Sequence, residues 1–564
     1  MYGRSLGRII MEEMKVKKTI TVILSLLMIV TMTLTGCGGG TSSGENTSGG
    51  ANGEKVMVNY GVDVELTTMD VHAVTDGTSY TIIENTMEGL TQFDKDSNII
   101  PAIAESWDIS DDGLVYTFHI RKDAKWSNGD PVTANDFVYS WKRLVDSETG
   151  SENQFLIADT SGIKNAAAIA YEGADKETLG VEAKDEQTLI VTLERPVPVF
   201  LSLLLFPPFY PVNQKFCEAQ GKLFGQSVES TLANGAFQLT HWDQGGSQTT
   251  VERNPNYYAK DEVTVDGVNF VVIKDAQSAV LAYQNGDVDK IAITGDLVEQ
   301  YKSDPECRIV DGSFLWYVIC NHKDPALSNA NMRLALATCF DKQELCDGVL
   351  KDGSHPANYF VPSMLATGPD GKDFRDGAPT YLEFNKEQAL KYWEAAKKEL
   401  GIETVTFSLL VEDTESAIGV ATYLQDAIQK NLPGVTISLE TMAKKSRLQR
   451  ESEGEYQLSL TRWGPDYADP MTYLDQFVTT KTKIKWDNTN YDKMIEEASS
   501  GKTALDPAAR WKLLRDIEAE LLKEAAILPV YQKNNALLQK AYLTGIEEHA
   551  SIGNLFKHAH KEAK

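Results

Sequence analysis

The sequence predicts a mixed α/β protein with more than one lobe, on three observations. Short β-branched and aromatic runs recur along the chain, capped helical segments lie between them, and one complete strand–helix–strand unit is legible. The strand candidates are VYTFHI (Val115 to Ile120), TLIVTL (Thr188 to Leu193), VNFVVI (Val268 to Ile273) and FLWYVIC (Phe314 to Cys320). NKEQALKYWEAAKKELG reads as a helix with Asn385 as N-cap, Gln388 placed to complete a capping box, and Gly401 as the terminating glycine. DPAARWKLLRDIEAELLKEA opens with Asp506 as cap and Pro507 at the first helical position. TVTFSLLV (Thr404 to Val411), a helix near Glu415 to Asn431 and VTISLE (Val435 to Glu440) form the βαβ unit, which implies parallel pairing in the C-terminal half.

The length, 564 residues, suffices for two or three lobes with sizeable cores. At 42 % hydrophobic, 24 % charged and 9 % aromatic, the composition is that of an ordinary soluble globular protein. A net charge of −27 argues against a nucleic-acid partner or an anionic membrane surface.

The N-terminus reads as a bacterial lipoprotein signal. MKVKK (Met14 to Lys18) is basic, Thr19 to Thr35 is apolar but short for a membrane span, and LTGC (Leu34 to Cys37) places a small residue before a cysteine. Lipid attachment to Cys37 and cleavage before it are expected, with residues 1–13 an upstream extension of the start. Loss of residues 1–36, which carry five basic and two acidic side chains, takes the charge from −27 to about −30. Residues 37–54 are rich in Gly, Ser and Asn and read as a flexible tether. The localisation implied is the outer face of the cytoplasmic membrane, on a lipid anchor of the Gram-positive type.

Five further cysteines, Cys217, Cys307, Cys320, Cys339 and Cys346, are an odd number without a CxxC pair and read as mostly buried free thiols. No HExxH, GxSxG or P-loop is present, and SGIK (Ser161 to Lys164) lacks the companion motifs of an acylating serine. A non-enzymatic binding protein without metal or cofactor is therefore the expectation.

Several stretches together resemble the extracellular solute-binding proteins of peptide ABC transporters, the oligopeptide- and dipeptide-binding family. They are Met87 to Leu144, with EGL…IPAIAESW…FHIRKDAKWSNGDPVTANDFVYSW at its heart, NGAFQLTHW (Asn234 to Trp242), VERNPNYY (Val251 to Tyr258) and AYQNGDVD (Ala282 to Asp289). NMRLALATCFDKQEL (Asn331 to Leu345), RWGPDYADP (Arg462 to Pro470) and ILPVYQ (Ile527 to Gln532) extend the likeness towards the C-terminus. The resemblance implies a periplasmic-binding-protein-like two-lobed clamp of type II, with an extra domain inserted in the first lobe. Lobe I would comprise 55–88, 213–312 and 530–564, the extra domain 89–212 and lobe II 313–529, with crossings near Gly312 and Leu528. It further implies a peptide ligand, the permease and ATPase subunits of an ABC transporter as partners, and a monomer.

The same resemblance assigns the site. A peptide brings a cationic amine and a polar backbone, and burying either unpartnered costs several kcal/mol. A generalist binder thus needs one fixed carboxylate and free strand-edge backbone groups. Within TRWGPDYADP, Asp469 before Pro470 is the simple helix cap, which leaves Asp466 for the ligand's α-amine. Trp463 would line the first side-chain pocket, and Arg462 to Gly464 would offer backbone contacts. Thr75, Asp76 and Gly77 would do so from the other lobe. Pro465 lacks an N–H, and cationic positions for a peptide's C-terminus are not evident, Arg450 being the nearest candidate. Two alternatives stand beside this reading: a non-peptide solute in the same fold, and a receptor for a peptide pheromone.

Overall fold

The computed structural model describes residues 55–562 apart from 96, 481 and 550. The signal segment, Cys37 and the tether lie outside the described residues.

Two large sheets organise the chain. The first has seven strands in the order Cys307–Val310, Asn535–Gln539, Lys290–Ile293, Met57–Val62, Gly267–Val272, Gln248–Arg253 and Phe237–Trp242. Met57–Val62 pairs parallel to Gly267–Val272 over its full length. The second has six, in the order His355–Pro356, Ile527–Gln532, Leu315–Cys320, Leu458–Trp463, Val405–Glu412 and Val435–Met442. A smaller antiparallel sheet, Ala104–Ile109, Val115–Ile120, Thr188–Thr192 and Val181–Asp185, belongs to a segment inserted between strands of the first.

Local chemistry accounts for most elements. The strand–helix–strand unit is Val405–Glu412, the helix Glu415–Asn431 and Val435–Met442, with Val405 opposite Val435 in parallel register. Its helix packs back on the sheet, as a short crossover demands. All six residues of Leu315–Cys320 are buried, the continuous apolar run of a strand covered on both faces. Asp506 accepts from Ala508 and Ala509 N–H at the start of the helix Pro507–Leu522, and Gly401 ends Lys386–Leu400 at φ 67°. Asn385 caps that second helix through Gln388 N–H (3.0 Å). The box is not reciprocal, because the Asn385 N–H goes to the Thr338 carbonyl (2.9 Å).

One apolar cluster runs through the inserted domain and the first sheet into one face of the second sheet, from Trp141 and Phe200 to Tyr473 and Tyr491. The other face of the second sheet has its own cluster around Trp316, Val318, Trp393 and Tyr531. All five described cysteines are unbridged, four of them buried. Among the described residues no helix is long and apolar enough to cross a membrane.

The chain passes between the two sheets along two adjacent segments. Lys533 N–H donates to the Phe314 carbonyl (2.8 Å), and Gln532 Nε2 to the Gly312 carbonyl (2.8 Å). The second crossing differs from the expected position near Leu528. Ile527–Gln532 stays paired with Leu315–Cys320 to Gln532, so the passage falls at 533–534. An apolar run such as ILPVYQ does not state which sheet it joins.

Gly312 sits where the segments touch; a Cβ there would lie 2.2 Å from the Lys533 carbonyl oxygen. Gly312→Ala should therefore force the crossing segments apart. A destabilisation of about 1–3 kcal/mol is expected in urea denaturation, the usual cost of overpacking.

Candidate functional site

The strand Leu458–Trp463 carries the site to the end of the second sheet. It pairs antiparallel with Leu315–Cys320 along its whole length, whereas its parallel ladder with Val405–Glu412 reaches only Ser459. From Leu460 to Trp463 the backbone is therefore laddered on one side alone, the open edge that strand addition requires. Beyond it, Gly464 lies against Phe314, whose ring would be 2.5 Å from an added Cβ. A side chain here would have to push that ring aside.

Asp469 is structural, but it stands one position before the N-cap that the sequence reading gave it: Pro470, not Asp469, holds the N-cap position. Its Oδ1 accepts the Met471 N–H (2.9 Å) at the start of the helix Met471–Leu474. It also forms a bidentate pair with Arg510 (2.7 and 2.9 Å), which local sequence gave no means of anticipating. Tyr473 donates its hydroxyl to the carbonyls of Ser313 and, at 3.4 Å, Trp463, tying the turn to a crossing segment.

Asp466 is held differently. Its N–H donates to Thr472 Oγ1 (3.1 Å), which orients the residue. Its carboxylate, half-buried, has no hydrogen bond or ion pair among the described residues. Burial first, and then the charge of Asp475, push its pKa up to about 7. An unpaired acid in this position is short of a cation. Trp463 is half-buried beside the apolar cluster, and its buried indole N–H has no acceptor among the described residues.

The turn DVHAVTDG, the candidate contribution of the other lobe, is fixed by its own contacts. Asp70 is gripped bidentately by Arg143 (2.8 and 2.6 Å), and its carbonyl accepts the N–H groups of Ala73 and Val74. Asp76 caps the helix Gly77–Thr86, accepting from Ser79 N–H (2.9 Å) and Thr67 Oγ1 (2.6 Å). Thr75 and Gly77 are exposed, and the Thr75 backbone makes no hydrogen bond among the described residues. One turn into the helix, Tyr80 donates to the Val74 carbonyl (3.0 Å). Burial raises the Tyr80 phenol most, and the charges of Glu84, Asp466 and Asp76 add to the rise.

Arg450 is not available for a ligand: it pairs with Glu440 (2.7 Å) and donates to the Glu455 carbonyl (3.1 Å). Ser161 is buried and donates to the Ile157 carbonyl (2.7 Å), a structural hydroxyl. Among the described residues no cluster of three His, Cys, Asp or Glu side chains could hold a metal.

Residues 98–485 match the family described as "Bacterial extracellular solute-binding proteins, family 5 Middle". The chain is 34 % identical to the dipeptide-binding protein DppE of Bacillus subtilis over 537 residues, covering 93 % of this chain and 96 % of that protein. Among solved structures it resembles Listeria monocytogenes OppA bound to peptide, with TM-score 0.74 and 35 % identity over 91 % of this chain and 100 % of the other. The pheromone receptor PrgZ gives TM-score 0.74 and 32 % identity, over 90 % of this chain and 100 % of that one.

The two aspartates should separate in stability measurements on the ligand-free protein. Asp469→Ala strands the buried Arg510 guanidinium and should cost about 3–5 kcal/mol. Asp466 has a folded-state pKa above its unfolded value, so the folded state binds the extra proton and loses stability as pH rises towards 7. Asp466→Asn removes that penalty; thermal melts should show stabilisation of about 1–3 kcal/mol at pH 8 and little change at pH 4.

Proposed function

This chain belongs to family 5 of the bacterial extracellular solute-binding proteins, and from that premise we propose that it captures short peptides by their free amino terminus and delivers them to an ABC importer. It is a binding protein and not an enzyme. The observation that carries the peptide reading is the unpaired Asp466 carboxylate at the end of an open strand edge.

In this reading the ligand's ammonium docks on Asp466, which ionises to receive it. The extended peptide continues past the backbone of Arg462 to Gly464, with the Thr75–Gly77 backbone on its other side. Its first side chain packs near Trp463, whose orphan N–H gains an acceptor from the ligand or a bridging water. Closure about the segments at 311–314 and 533–534 then excludes solvent and strengthens the ion pair. The lipid on Cys37 and the tether keep the loaded clamp close to its permease. The likeness to a pheromone receptor favours a second reading of the same site, in which one peptide is captured as a signal.

Mass spectrometry of what the purified protein releases on denaturation separates these readings. A ladder of short peptides with free amino termini supports general import, a single peptide supports signalling, and a non-peptide solute overturns both. Asp466→Ala should weaken binding of free-amine peptides by about 3–5 kcal/mol, or 10²- to 10³·⁵-fold. N-acetylation of the peptide should cost the wild type a comparable factor in titration calorimetry and cost the variant nothing further. Undiminished binding by Asp466→Ala would remove the assignment.

A further inference from the structure

The loop between the strand Met57–Val62 and the helix Gly77–Thr86 is held largely from outside itself. Side chains of the segment inserted ahead of Phe237–Trp242 grip it at two points, Asp70 and Val74. Arg143 takes the Asp70 carboxylate (2.8 and 2.6 Å) and touches His72 Nδ1 (2.6 Å). Asn153 takes the other point, donating from Nδ2 to the Val74 carbonyl (2.9 Å).

That carbonyl has a second donor. The Tyr80 hydroxyl lies 3.0 Å from it and 3.3 Å from Asn153 Oδ1, so its one proton is shared between them. Carboxamide, hydroxyl and carbonyl close a small ring, and only this orientation of the amide sets a donor against the Val74 oxygen. The ring is sheltered: Val74 is fully buried, Asn153 is 8 % exposed, and Phe206 of the inserted segment lies 4.8 Å from the Tyr80 ring. Asn153 is itself fixed, its N–H donating to Ser151 Oγ (3.2 Å) and its carbonyl accepting from Leu156 N–H (3.0 Å). Beyond Val74 the Thr75 backbone makes no hydrogen bond among the described residues, and the next anchor is the Asp76 cap. Val74 is therefore the last fixed point before the exposed stretch. Asp76 and Gly77 in turn line a cavity of about 530 Å³, within the size range of small-ligand sites.

We propose that Asn153 is a positioning residue for ligand capture: its carboxamide, closed against Tyr80, holds the Val74 carbonyl and so presets the Thr75–Gly77 backbone that the ligand meets. The proposal rests on the reading above in which that backbone contacts the peptide, and deepens it. The inserted segment thereby takes part in recognition without touching the ligand. A preset turn does not have to be ordered on binding, and the gain reaches every peptide alike because it acts through backbone. Asn153 raises affinity without choosing a sequence.

Calorimetry of wild type, Asn153→Leu and Tyr80→Phe with Ala-Ala-Ala and N-acetyl-Ala-Ala-Ala tests this, with thermal melts alongside. Asn153→Leu keeps a branched side chain and removes both hydrogen-bonding ends. It should weaken the two peptides by the same factor, about 3- to 10-fold. Tyr80→Phe should cost less, because Asn153 still donates to Val74. The double variant should lose less than the product of the two single losses, since both act on one carbonyl. Hydrogen exchange should quicken at the Ala73 and Val74 amides, which donate to the Asp70 carbonyl, and stay unchanged in the ladder between Leu315–Cys320 and Leu458–Trp463. A lowered melting temperature with unchanged affinity makes Asn153 structural only and overturns the proposal, as does a loss confined to the free-amine peptide. If Asn153→Leu does not fold, unchanged affinity in Tyr80→Phe overturns it. In each of these cases wild-type binding of Ala-Ala-Ala leaves the peptide reading standing, whereas no binding of either peptide to wild type removes both.

Discussion

The proposed site depends on a carboxylate that the fold leaves unpaired. Asp466 is half-buried with no cation or donor among the described residues, and burial raises its pKa to about 7. A charged acid in that setting is unfavourable, so the free protein is poised to accept either a proton or a cation. That cost is tolerable because neighbouring groups are over-determined. Asp469 is locked to Arg510, Thr472 accepts the Asp466 N–H, and Tyr473 ties the turn to the crossing segment. Strength beside the site holds the vacancy open.

The proposed site draws on the sheet and on a turn outside it. The strand bearing the motif ends where its parallel ladder has already stopped, leaving edge groups free at that end. The turn is itself fixed by the bidentate Asp70–Arg143 pair and by the Asp76 cap. In the proposed reading both segments present backbone to the ligand, and backbone is common to every peptide. Side chains contribute little selectivity in such an arrangement, which suits a ligand class more than a single ligand.

Legibility in the sequence followed the range of the interactions. The βαβ unit, the caps at Asn385 and Asp506 and the separation of Asp469 from Asp466 are local, and residue type with spacing revealed them. What lay beyond reach was set by distant residues. Arg510 pairs with Asp469 across 41 positions, and Arg450 is occupied by Glu440 through the adjacent strand. The reciprocal half of the Asn385 box was lost to the Thr338 carbonyl, a tertiary competitor. The second crossing fell at 533–534 because strand composition does not name its sheet.

The most direct measurement is the proton count on binding. Titration of a free-amine tripeptide at pH 6, in two buffers of different ionisation enthalpy, reports protons exchanged with solvent. With Asp466 titrating near 7 in the free protein and ionised against the ammonium in the complex, release approaching one proton per peptide is predicted. Binding of that peptide at pH 6 without proton release would contradict the pairing of Asp466 with the amine.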